Sequence, residues 1–284
     1  MFTLLNLLPL LVALATPFGR ATWAGEAQNA FNEGVKHHRA GKFKEAIAAY
    51  DRAIKASPDA SEAYNNRGLA FHKLGQIGNA IKDYDQAVKL DPKFTDALYN
   101  RGNALLTQKQ YERAIKDFDA VIKQNPKMPK AYDQRGLAYS GLGQFEKAIQ
   151  DFNQSQKLDP KDPEIYYSRG LAYRRLGKHD LAVQDYSEAI KLEPKNAEAY
   201  NNRANAYSLL GQFEHALRDY DQAIKLDPKN ARIYANRGMV KLRQGKGEDA
   251  QTDFDKAVEL QPSLKEQIQS IAGDRAAAPA VKKQ

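Results

Sequence analysis

Seven prolines stand 34 residues apart: Pro58, Pro92, Pro126, Pro160, Pro194, Pro228 and Pro262. A chain punctuated at so fixed a period is a stack of like units, each too small to bury a core alone. Counting back from each proline divides the sequence into seven gapless units: 27–60, 61–94, 95–128, 129–162, 163–196, 197–230 and 231–264. In this frame the twentieth place is always alanine, from Ala46 and Ala80 to Ala216 and Ala250. The twenty-fourth is always aromatic: Tyr50, Tyr84, Phe118, Phe152, Tyr186, Tyr220 and Phe254. Glycine holds the eighth place except at Ala204, and the fifteenth except at Lys109.

Each unit reads as two helices. Apolar or small residues at the fourth, eighth and eleventh places, such as Tyr64, Gly68 and Phe71, share one face at 3.6 residues per turn. Glycine at the fifteenth place ends the first helix, and the second runs from about the seventeenth place to the proline. A glycine inside a helix costs about 1 kcal/mol relative to alanine, so its recurrence at the eighth place needs a packing reason. Close approach of the two helices, with the aromatic ring filling the remaining gap, supplies one.

The ends differ from the repeats. The run "LLNLLPLLVALA" is mostly apolar, and a small-residue stretch follows it to Ala24. With Thr22 and Ala24 before the break, residues 1–24 read as a secretory signal cleaved before Gly25, although no basic residue precedes the apolar run. The protein is then exported, and periplasmic if its source is bacterial. An inner-membrane anchor over residues 3–19 is the alternative, and that run is short for a span of about 20 residues. At the other end, residues 265–274 form a capping helix with Ser263 near its start, and 275–284 a frayed, disordered tail. The chain has no cysteine, which excludes disulfides, thiolate metal sites and cysteine nucleophiles. Its +8 charge is spread evenly, favouring acidic partners weakly and giving no sign of nucleic acid.

The period, the order of glycine, aromatic, alanine and proline, and the short spacers resemble the tetratricopeptide repeat (TPR) family over residues 27–264. The resemblance implies an all-α fold, a right-handed α-solenoid superhelix of stacked helix-turn-helix units. It also implies a concave groove, lined by the first helices, that holds peptides or partner proteins.

An arginine recurs at the seventh place, on the core-facing side, where the family more often has leucine: Arg67, Arg101, Arg135, Arg169, Arg203 and Arg237. The same six units carry aspartate at the twenty-third place: Asp83, Asp117, Asp151, Asp185, Asp219 and Asp253. The first unit lacks both, having Glu33 and Ala49. Since a buried charge needs a partner, these read as structural ion pairs bridging the two helices of each unit.

On an ideal helix the second, sixth, ninth and thirteenth places lie opposite the core stripe and would line the groove. The sixth carries Asn32, Asn66, Asn100, Gln134, Asn202 and Asn236, broken only by Ser168. Asn103 and Asn205 add amides at the ninth place. An amide both donates and accepts, so such a row, expected to be exposed, can hold a peptide backbone whatever its side chains. It resembles the asparagine ladder in the repeat domain of O-GlcNAc transferase, whose transferase domain has no counterpart here. Arg174 and Arg175, near Tyr166, Tyr167 and Ser168, mark a possible anionic pocket, with a solvated face as the simpler reading. The carboxylate clamp of chaperone-binding relatives is not reproduced in any three consecutive units.

No phosphate loop, hydrolase elbow or dinucleotide fingerprint occurs, and His38 and His72, one period apart, lack a third metal ligand. The expectation is a non-enzymatic scaffold or adaptor with no cofactor and no metal, binding a peptide or protein partner. Weak self-association as an architectural solenoid, and a membrane-tethered adaptor, are the other readings.

Overall fold

The computed structural model describes residues 25–276; the leader, and the part of the expected tail beyond Ala276, lie outside the described residues. The chain divides into two compact units between Leu158 and Asp159. The first contains α1 (Gly25–Arg39), α2 (Phe43–Ala56), α3 (Ser61–Lys73), α4 (Ile77–Leu90), α5 (Thr95–Thr107), α6 (Tyr111–Gln124), α7 (Pro129–Gly141) and α8 (Phe145–Leu158). The second contains α9 (Pro163–Arg175), α10 (His179–Leu192), α11 (Ala197–Leu209), α12 (Phe213–Leu226), α13 (Ala231–Arg243), α14 (Gly247–Leu260) and α15 (Lys265–Ala276). Within each unit consecutive helices pack as antiparallel hairpins, one hairpin per 34-residue period, and no strand occurs among the described residues. The architecture is that of an all-α solenoid.

The turn inside each hairpin is set by the fifteenth place. Gly75 takes φ +74°, and the Gln76 N–H then reaches the Phe71 carbonyl at 2.9 Å, closing the helix on itself. Lys109 adopts the same left-handed conformation, at φ 58°, without glycine's freedom.

The eighth-place glycines have the packing reason that their position demanded. A Cβ on Gly68 would lie 2.7 Å from the Tyr84 ring, and one on Gly136 would lie 2.7 Å from that of Phe152. Gly170 and Gly238 meet Tyr186 and Phe254 in the same way. The rings are buried, as are the alanines at the twentieth place, so each hairpin with glycine at the eighth place closes on a ring-against-backbone contact.

Past the last hairpin, a 3-10 turn over Pro262–Leu264 leads into α15, which runs two residues beyond the expected capping helix, into the segment read as tail. Leu264 and Ile268 cover Ala231, Phe254 and Ala257, so the final hairpin does not leave its apolar face bare.

Candidate binding face

Two polar networks hold the hairpins, and between them they determine what the first helices leave exposed. The first is built on the arginines. Arg67 donates through Nε and Nη2 to both carboxylate oxygens of Asp83, at 2.8 and 2.7 Å. Its remaining Nη1 donates to Asp51, on the second helix of the preceding repeat, at 2.5 Å. The two carboxylates lie sixteen residues ahead of the arginine and sixteen behind it. Arg101 has Asp117 and Asp85, Arg135 has Asp151 and Asp119, and Arg237 has Asp253 and Asp221 in the same arrangement. Arg169 grips Asp185 by the same fork. Arg203 grips Asp219, but its Nη1 finds the Ser187 hydroxyl at 3.0 Å.

Aromatic rings one turn away on either side sandwich several of these guanidiniums. Arg67 lies 5.5 Å from the Tyr64 ring centre and 6.0 Å from that of Phe71. Tyr132 and Tyr139 flank Arg135, and Tyr200 and Tyr207 flank Arg203. Burial works against the charged forms, and the neighbouring carboxylates outweigh it: the guanidiniums of Arg67 and Arg135 are held above their ordinary range. The fork to the twenty-third place was legible in the sequence; the backward reach was not. In the first repeat the polarity is reversed, with Glu33 accepting from Arg52 at 2.8 Å.

The second network is built on amides, and here an expectation is corrected. Asn66 and Asn100 are fully buried and Gln134 is 4% exposed, so none of the three lines an open groove. Asn100 Nδ2 donates to Asn65 Oδ1 at 3.0 Å, across neighbouring first helices 35 residues apart in sequence. Asn202 donates to the Tyr167 hydroxyl at 2.9 Å and Asn236 to Asn201 Oδ1 at 3.1 Å, with the same spacing. The fifth and sixth places therefore meet in the seam between repeats. Asn66 Oδ1 accepts from Asn65 Nδ2 at 3.4 Å, and its own Nδ2 is left without a partner. Of the remaining predicted amides, Asn32 is exposed, Asn103 is half-buried, and Asn205 accepts from the Tyr220 hydroxyl at 2.7 Å.

Tyr166 donates to the Pro160 carbonyl and Tyr167 to Glu198, so both hydroxyls are committed. Arg174 is half-buried and Arg175 exposed. Among the described residues no group of three His, Cys, Asp or Glu side chains is placed to hold a metal ion.

Exposed or half-buried on the first helices are cations outside both networks. Arg39, Lys73 and Lys130 in the first unit, and Arg175 and Arg232 in the second, form no ion pair among the described residues. A concavity of about 400 Å³ lies between α13 and α15.

Comparison with known proteins agrees with this architecture. Tetratricopeptide repeat models match residues 31–93, 73–129, 197–230 and 219–252, and a TPR repeat model matches 141–177 and 170–211. The chain belongs to the tetratricopeptide repeat family. Among solved structures it is similar to residues 41 to the end of MamA from Desulfovibrio magneticus, at 27% identity and TM-score 0.59 over 62% of this chain and 99% of that one. A tetratricopeptide repeat protein from Parabacteroides merdae matches at 21% identity and TM-score 0.68, over 88% of this chain and 100% of that one. YrrB, described as a TPR protein with an unusual peptide-binding site, matches at 22% identity and TM-score 0.56 over 70% and 98%. None of the curated proteins matches.

Proposed function

We propose that this protein is a non-enzymatic scaffold holding peptide segments of partner proteins against the exposed side of its first helices. The observation that carries this reading is a sorting of charge. The six seventh-place arginines are committed inside the stack, whereas Arg39, Lys73, Lys130, Arg175 and Arg232 are uncommitted and on the first helices. Uncommitted cations on rigid helices favour acidic segments and speed their encounter. The amides Asn32, Asn103, Asn202, Asn205 and Asn236, exposed or half-buried on the same helices, offer hydrogen bonds to a peptide backbone. YrrB supplies a precedent for peptide binding on the same fold. The leader read over residues 1–24 supports a place in the cell envelope.

A pull-down from the envelope fraction tests the reading, with the full chain set against a variant carrying Arg39→Gln, Lys73→Gln, Lys130→Gln and Arg175→Gln. Circular dichroism checks that both are folded. Partners retained by the first and released by the second support the scaffold; identical retention overturns it. The mass of the native protein tests cleavage before Gly25.

A further inference from the structure

The concavity between α13 and α15 has a chemistry of its own. Met239, Leu264 and Ile268 form its apolar floor. Asn236 and Gln267 line it too, and Asn236 spends its Nδ2 on Asn201, leaving its carbonyl oxygen to accept. Its volume of about 400 Å³ falls in the range of small-ligand sites, roughly 300–1,000 Å³.

Arg232 lines the same concavity, in the first turn of α13. The second place of the preceding repeats in this unit is acidic, Glu164 and Glu198, which suits the positive end of a helix dipole. Arg232 reverses that sign and is exposed, so the helix gains nothing from it. Nor does it form an ion pair among the described residues, and α13 itself contains no Asp or Glu. Of the other cations on α13, Arg237 and Lys241 are held by Asp253, and Arg243 donates to Ser208. An unpaired cation therefore sits beside an apolar hollow lined also by amides.

We infer that this concavity is a docking site for an extended segment of a partner protein in which an aliphatic side chain is followed closely by Asp or Glu. The aliphatic group enters the hollow over Met239 and Ile268. The carboxylate meets Arg232, and Asn236 and Gln267 take up the peptide backbone. The inference rests on the scaffold reading above and names a partner chemistry for one end of it.

Methionine methyl groups give a local readout, because the sequence has three methionines, Met1, Met128 and Met239. The full chain, labelled at the methionine methyls, is titrated with a blocked glycine-serine decapeptide bearing a central Leu-Asp pair, and calorimetry gives the overall affinity. The Met239 signal is expected to shift saturably while that of Met128 stays in place. Replacing Asp by Asn in the peptide is expected to weaken binding about tenfold, and Arg232→Glu to move the preference to a Leu-Lys peptide. Because Arg232 is exposed, folding should survive the change. Binding that leaves Met239 unmoved overturns the docking site and leaves the scaffold reading standing. Equal affinity for the Leu-Asp and Leu-Lys peptides also overturns it. Binding of the Leu-Asp peptide unchanged by Arg232→Glu removes the role given to Arg232 and with it the inference.

Discussion

Arg203 donates to the hydroxyl of Ser187 where Arg67, Arg101, Arg135 and Arg237 donate to an aspartate. The fork from Arg203 to Asp219 is intact, so only the link to the preceding repeat is weakened. Ser187→Asp should restore it. The matching aspartates are about half exposed, which limits the gain to about 0.5–1 kcal/mol. Urea unfolding reads this directly, and the gain should vanish in an Arg203→Gln background.

Arg135→Leu leaves Asp151 buried without its bidentate partner. The expected loss is about 3–5 kcal/mol. Replacing both Arg135 and Asp151 by leucine should recover much of that loss, because the one carboxylate left unpaired, that of Asp119, is half exposed. Thermal unfolding of the two variants side by side separates a paired charge from an arginine that merely fills space.

Gly136→Ala drives a methyl group into the buried Phe152 ring and should destabilise by about 1–3 kcal/mol. The sixth repeat is the natural control, since it already has Ala204 against Tyr220. There Ala204→Gly should cost no more than about 1 kcal/mol, the helix propensity difference alone. A loss at Gly136 as small as that would mean the close approach is not what fixes glycine there.

The Tyr84 hydroxyl is buried with no partner, whereas that of Tyr220 donates to Asn205. Tyr84→Phe should therefore be neutral or stabilising by up to about 1 kcal/mol, and Tyr220→Phe destabilising by a similar amount. Phenylalanine already serves at this place in Phe118, Phe152 and Phe254. Opposite signs in the two unfolding midpoints are the result to look for.

His38 and His72 are held below the ordinary imidazole range, first by burial and then by the charge of Lys73. Both ring nitrogens of His72 are buried without a partner, so a proton there has nothing to meet. As pH falls below the ordinary value of 6.5, the unfolded chain takes up protons that the folded chain refuses. Stability is full above that pH and should decline below it. A His38→Leu/His72→Leu variant should show a shallower decline between about pH 6.5 and 5.

Much of this was legible because one period repeats a single packing problem. The prolines and glycines bound the helices, and the glycine–ring contact and the arginine fork both lie within one hairpin. What escaped lies between hairpins. The sixth place of an isolated helix points away from its own core stripe, which makes Asn66 and Asn100 look exposed. The first helix of the preceding repeat stacks against that side and buries them, and helical periodicity contains no information about that neighbour. The same blindness hid Asp51 from Arg67, because the sequence frame ends each unit at its proline whereas the arginine reaches across it.

That reach bears on how such a chain grows. Arg67, Arg101, Arg135 and Arg237 each require an acid sixteen residues upstream and another sixteen downstream. Duplicating one full period between two of these clasps preserves both spacings, wherever in the period the new segment begins. An insertion that is not a whole number of periods, made between an arginine and one of its acids, strands a carboxylate on one side. Copying errors in the gene are thereby screened by length, and the register that survives is the one in which every new arginine finds an acid on each side.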